Sequence, residues 1–124
     1  MTKLDNDQAN TLLALDAALN ERIISGDALG AFEDYYAEDV VMQENDAEPT
    51  VGKAANRDRE NDFFSSLTEF RGAKVVAQAV GPDTTMSQWH MDYTHKDWGV
   101  RNYHQIAVRT WKDGKIVKEV FYYG

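Results

Sequence analysis

Glu44 stands where a strand should still be crossing the core: Asp39-Val40-Val41-Met42 runs apolar and then delivers Gln43-Glu44-Asn45. A carboxylate in an apolar cavity has its charged form disfavoured, so its pKa climbs towards neutrality and it can take or give a proton. The same group at a solvated strand end, beside Asn45, Asp46 and Glu48, is ordinary acidic surface, and the sequence leaves both readings open. Further along, His90 and Asp92 alternate with Trp89, Met91 and Tyr93. Imidazole titrates near neutrality and is the commonest general acid or base, and a carboxylate two residues away on a strand shares its face at roughly 7 Å. Glu44, His90 and Asp92 are thus the candidate catalytic residues. Tyr36, Tyr103, Gln105 and Tyr123 are the candidate substrate-binding residues, with hydroxyl and amide groups suited to fixing a ligand against apolar walls.

No metal or cofactor is expected. His90, His95 and His104 lack the helical i, i+4 spacing that holds two imidazoles on one ion, and no glycine-rich phosphate loop is present. The absence of cysteine removes thiol catalysis, disulfides and zinc–thiolate sites together. Arg57-Asp58-Arg59-Glu60 reads as a solvated helix face of weak ion pairs, with Asn56 and Glu60 within reach of a pocket rim.

The elements that must position these groups follow from periodicity. Leu12, Leu15, Leu19 and Ile23 recur at helical spacing over residues 6–25, and Gly26 stops the run. Asp27 is suited to cap a second helix whose Leu29, Phe32 and Tyr36 share a face. Asp39 to Glu44 reads as a strand, and Lys53 to Phe70 as a third helix, polar at first and apolar later. Beyond Gly72 the texture becomes β-rich over 73–80, 85–95, 100–111 and 115–123, separated by Gly-Pro-Asp, Lys-Asp-Trp-Gly and Lys-Asp-Gly. Helices first and a strand meander after imply an α+β fold.

Loop lengths set the faces. With Lys96 to Gly99 as a four-residue loop, Gln88, His90 and Asp92 share a face with Tyr103, Gln105 and Ala107, joined by Glu119, Phe121 and Tyr123 through a Lys112-Asp113-Gly114 loop. The other face collects Trp89, Met91, Tyr93, His104, Ile106, Val108, Val120 and Tyr122, an apolar patch that a second copy of the chain would cover.

At 124 residues and 43% hydrophobic content the chain is expected to form a single domain over residues 1–124. A net charge of −8 without any basic stripe disfavours nucleic acid as a partner. No apolar run approaches the ~20 residues of a bilayer span, so no membrane partner is expected. The polar start MTKLDNDQAN has no signal-peptide core, and cytoplasmic localisation is the default expectation.

Gly26-Asp27, Tyr36-Ala37-Glu38-Asp39-Val40, Gly52 and Trp111-Lys112-Asp113-Gly114-Lys115-Ile116, in this element order, resemble the nuclear transport factor 2-like superfamily, especially its SnoaL-like and ketosteroid-isomerase-like branches. The resemblance covers nearly the whole chain. It implies three N-terminal helices packed on a curved, mainly antiparallel sheet, a cone-shaped, cystatin-like roll around one pocket, with a homodimer through the convex face. It puts Glu44 where the isomerases keep their base, and Leu19 and Ala107 where they keep oxyanion donors. Limonene-epoxide-hydrolase-like members carry an Arg and an Asp two apart where Gln88 and His90 stand. Two functions follow from the resemblance: proton transfer next to a carbonyl of a hydrophobic small molecule, as in an isomerase, cyclase or lyase, or a non-catalytic ligand-binding or dimerisation module on the same fold.

Overall fold

Asp5 accepts a hydrogen bond from the Gln8 amide (2.7 Å) and so opens helix α1, Asn6–Ile24. The computed structural model describes residues 5–124; the first four residues of the polar N-terminal stretch lie outside it. Leu12 and Leu19 are buried on the inward side of α1, as their spacing demands. Asp16 lies between them on the same stripe and is fully buried too. Helix α2 covers Ala28–Tyr35. Asp27 does not cap it by a side-chain hydrogen bond: its carboxylate is taken by Arg22, at 2.6 and 3.0 Å.

Strand β1 begins at once, at Tyr36, and runs to Glu44, with a two-residue β2 at Thr50–Val51 inside the loop that follows. Helix α3 is Lys53–Ser65, shorter than its apolar tail suggests. Leu67 and Phe70 belong instead to β3, Leu67–Gly81, because a 15-residue strand pairs along nearly its whole length with β4, Thr84–His95. Tertiary pairing overrides the local period there. Strands β5, Gly99–Lys112, and β6, Lys115–Tyr122, complete the sheet.

The six strands lie in the order β2-β1-β6-β5-β4-β3, antiparallel except for the parallel pair β1–β6. This corrects the expected cone-shaped, curved roll. A closed barrel needs its first and last strands hydrogen-bonded, whereas β2 and β3 are edges that no ladder joins, and the sheet is open and not strongly curled. The helices lie against the sheet, α1 on β3 and β4 and α3 on β1 and β2.

Two hairpins fix the register. Lys112 pairs with Lys115, so the expected three-residue Lys112-Asp113-Gly114 loop is corrected to two residues, Asp113 and Gly114, both with positive φ (52° and 77°), a turn of the primed type that matches strand twist. A bulge between Thr110 and Trp111 then restores the parity expected for Ala107, Glu119 and Phe121. The β4–β5 hairpin departs from expectation. Gly99 is in the strand, paired with His95, so the loop is Lys96-Asp97-Trp98 and the register moves by one.

Val40, Met42, Trp111 and Ile116 form the core with the inward sides of α1 and α2. Ile116→Ala should cost about 2–5 kcal/mol as a cavity-forming change. Ile106→Ala, on the opposite face and 41% exposed, should cost well under half of that; urea unfolding of both variants measures the difference.

Candidate functional site

The one-residue shift at the β4–β5 hairpin decides which side chains meet. Trp89 pairs with Gln105, Met91 with Tyr103 and Tyr93 with Arg101, and these face the helices. His90 pairs with His104 and Asp92 with Asn102 on the outer face. The expected placement of His90 and Asp92 beside Tyr103 and Gln105 is therefore corrected. His90 stacks on His104 and bonds Asn102 (Nε2 to Oδ1, 2.7 Å), while Asp92 accepts from Arg71 at 2.8 Å. Correspondingly, Trp89, Met91 and Tyr93 are not part of an outer patch but walls of the interior.

Between the sheet and the helices lies a cavity of about 550 Å³. Glu44, Tyr36, Tyr103, Gln105 and Tyr123 all line it. Alternation along β1 turns Val40, Met42 and Glu44 inward, and Glu44 stands on the cavity wall with its side chain 40% exposed. Glu44 accepts a hydrogen bond from the Tyr123 hydroxyl and one from Arg59 Nη1 (3.2 Å). Burial, then that bond to Glu44, pushes the Tyr123 hydroxyl up to about 12. Tyr103 is raised further, by burial and by its 2.8 Å hydrogen bond with Tyr93, so both phenols remain protonated donors at neutral pH. Apolar walls come from Leu19, Phe32, Phe63, Phe64, Trp89 and Met91.

Helix α3 brings Asn56 and Glu60 in from the expected pocket rim and adds Arg59, which the sequence reading left in solvent. Asn56, Arg59, Glu60, Phe63 and Phe64 fall at i, i+3, i+4, i+7 and i+8, one continuous stripe. Asn56 is fully buried and spends its amide on the carbonyls of Val40, Thr50 and Gly52, tying α3 to β1 and β2. Arg59 bridges the carboxylates of Glu44 and Glu60, at 3.2 and 3.3 Å. Burial pushes Glu60 up to about 7; Arg59 opposes this, and the negative charges of Glu119 and Glu44 add to it. Extending the Phe63-Phe64 period backwards by one turn is the signal that would have found Arg59 beside Glu60.

The most enclosed part of the cavity is charged. Arg109, 2% exposed, donates from Nε to Glu119 and from Nη1 to Asp16 and Asn20, each at 2.7 Å. Tyr36 donates to the other Glu119 oxygen at 2.6 Å. Asp16 also accepts from Thr85 (2.8 Å), Ser87 (2.6 Å), Gln78 (3.0 Å) and Asn20 (3.3 Å). Burial alone would raise the Asp16 pKa, but Arg109 and the hydrogen bonds from Ser87 and Gln78 outweigh it and hold the carboxyl below its usual value. An aspartate on the apolar stripe of α1 is the sequence signal for such a partner, since a buried carboxylate demands a cation. Among the described residues no cluster of His, Asp and Glu is arranged to hold a metal ion, and no helix is long and apolar enough to cross a membrane.

A family model described as a SnoaL-like domain matches residues 21–123. Among solved structures, a candidate SnoaL-like polyketide cyclase from Mesorhizobium loti, also described as a carbohydrate phosphatase, is 28% identical, with 90% of this chain and 98% of that chain covered and a TM-score of 0.81. A second candidate SnoaL-like polyketide cyclase, from Jannaschia sp. CCS1, is 8% identical over 98% and 91% of the two chains, with a TM-score of 0.81. An NTF2-like protein of unknown function from Mesorhizobium loti is 16% identical over 100% and 99%, with a TM-score of 0.76. No curated protein matches the chain.

Glu60 holds its proton in the folded state up to about pH 7 but in the unfolded chain only up to its ordinary 4.5. Its contribution to stability is therefore complete below about 4.5 and lost as pH rises through 7. Glu60→Gln should raise the melting temperature at pH 8, by the equivalent of up to roughly 3 kcal/mol, and leave it nearly unchanged at pH 4.5; thermal melts at the two pH values measure this.

Proposed function

The chain belongs to the SnoaL-like family, and on that premise we propose that it moves a proton beside the carbonyl group of a hydrophobic small molecule, with Glu60 and Glu44 as the carboxylates at work. The single observation that carries the reading is the carboxylate of Glu60 on the wall of a largely apolar cavity, where burial pushes its pKa up to about 7. A group poised near the working pH is the most effective proton carrier. Glu60, ionised, takes the proton from the carbon next to the carbonyl and returns it at another position. Glu44, anchored by Tyr123 and Arg59, fixes Arg59 between the two carboxylates and so keeps Glu60 oriented. The hydroxyl of Tyr103 supplies a donor from the sheet. A substrate bearing carbonyl groups is further supported by the 28% identical Mesorhizobium loti neighbour, described as a candidate polyketide cyclase.

The second reading, a ligand-binding module without turnover, is favoured by one observation: Leu19 and Ala107, which the resemblance to ketosteroid isomerases equates with their oxyanion donors, are both wholly buried and apolar. Ligands that raise the melting temperature without being converted would support it.

Against a panel of hydrophobic ketones, Glu60→Gln and Glu44→Gln should each lower kcat by about 10²–10⁴, and His90→Ala should stay within about twofold. The wild-type rate should rise with pH around 7, and that inflection should vanish in Glu60→Gln. Unchanged turnover in both carboxylate variants would end the proton-transfer reading.

A homodimer through the outer sheet face is part of the proposal. It rests on Met86, Ile106 and Tyr122, which stand 44%, 41% and 48% exposed there. Sedimentation at micromolar concentration should give twice the chain mass, and a monomer would exclude it.

A further inference from the structure

Arginine carries five N–H donors in a fixed planar fork. In Arg109 the Nε hydrogen goes to Glu119, and the two Nη1 hydrogens go to Asp16 and Asn20. The two Nη2 hydrogens have no partner among the described residues. Yet no buried side-chain nitrogen or oxygen there lacks a partner, so Nη2 is not sealed in, and Arg109 lines the cavity. We infer that the Nη2 edge of Arg109 receives the oxygen of a neutral carbonyl substrate and orients it within the cavity. This deepens the proton-transfer reading and rests on it for the word substrate.

The ligand class follows from charge. Asp16 and Glu119 bring two negative charges to one guanidinium, so a carboxylate or phosphate entering here meets an excess of negative charge. A ketone or aldehyde oxygen needs only a donor and meets no such repulsion. Burial works against the charged guanidinium, but Glu119 and Asp16 outweigh it and hold its pKa above the ordinary arginine value, so Arg109 donates a hydrogen bond without giving up a proton. When a proton leaves the neighbouring carbon, charge grows on the carbonyl oxygen and the same hydrogen bond strengthens. The network that fixes Arg109 on its other edges spares the reaction any reorganisation of this donor.

Acetophenone and α-methylstyrene, which differ by a carbonyl oxygen against a methylene, separate the hydrogen bond from apolar burial. Arg109→Lys keeps the charge beside Asp16 and Glu119 but has a single nitrogen, whose donors those carboxylates and Asn20 consume. Quenching of tryptophan fluorescence, to which Trp89 and Trp98 contribute from the cavity wall, should find acetophenone weakened about tenfold by Arg109→Lys, as for a hydrogen bond from a charged donor, with α-methylstyrene within about twofold. In the wild type, the carbonyl carbon of ¹³C-labelled acetophenone should move downfield of its position in a hydrocarbon solvent. If the lysine variant does not fold, the shift decides the matter by persisting in Tyr103→Phe and Gln105→Leu, which remove the other donors that face the cavity from β5, and its loss in either variant would overturn the inference. No acetophenone binding, equal weakening of both probes, or a bound resonance at the hydrocarbon-solvent position would each overturn the inference. Neither measurement requires turnover, so a failure of the Glu44 and Glu60 variants to alter turnover leaves this result readable on its own.

Discussion

A guanidinium held between two carboxylates in the interior is the constraint on which the rest of the architecture depends. Asp16 comes from α1, Arg109 from β5 and Glu119 from β6, and each is at most 2% exposed. Removing one member of such a set leaves an uncompensated buried charge, a loss of several kcal/mol. An apolar contact tolerates sliding; this one does not, because every acceptor oxygen has a named donor. The network therefore fixes both the height and the rotation of α1 over the sheet.

The same network shapes the cavity. It occupies the inner face of β5 and β6 with polar groups that are satisfied except at the Nη2 edge of Arg109, so the open space beside it is bounded by a charged end and by the aromatic side chains of α3 and β4. Arg59 and Glu60 stand near Glu44 because α3 is tied to β1 by the amide of Asn56. Enclosure and acidity are linked here: the apolar walls that accommodate a ligand also raise Glu60 towards neutrality.

Much of the architecture was legible. Three helices ahead of a strand meander, the place of the last hairpin with Gly114 at positive φ, and the burial of Leu12 and Leu19 all follow from local period and turn chemistry, while the turn itself is one residue shorter than expected. Tyr36, expected on the second helix but the first residue of β1, and Glu44, Tyr103, Gln105 and Tyr123, singled out from residue type and strand position, all line the cavity. His90 and Asp92 were misplaced for one reason. The loop between β4 and β5 holds three residues rather than four, and a one-residue slip turns every side chain of a strand over.

The sequence alone determined the elements and their order, because helical and strand periods and turn residues act over a few neighbouring positions. Only the tertiary structure decided whether Gly99 ends a loop or begins a strand, whether the sheet closes, and which charges meet. Those outcomes depend on groups far apart in the chain: Arg109 finds Asp16 across 93 positions, and Tyr36 finds Glu119 across 83. No local pattern encodes such a meeting, since the energy that selects it, the pairing of buried charge, exists only once water has been excluded.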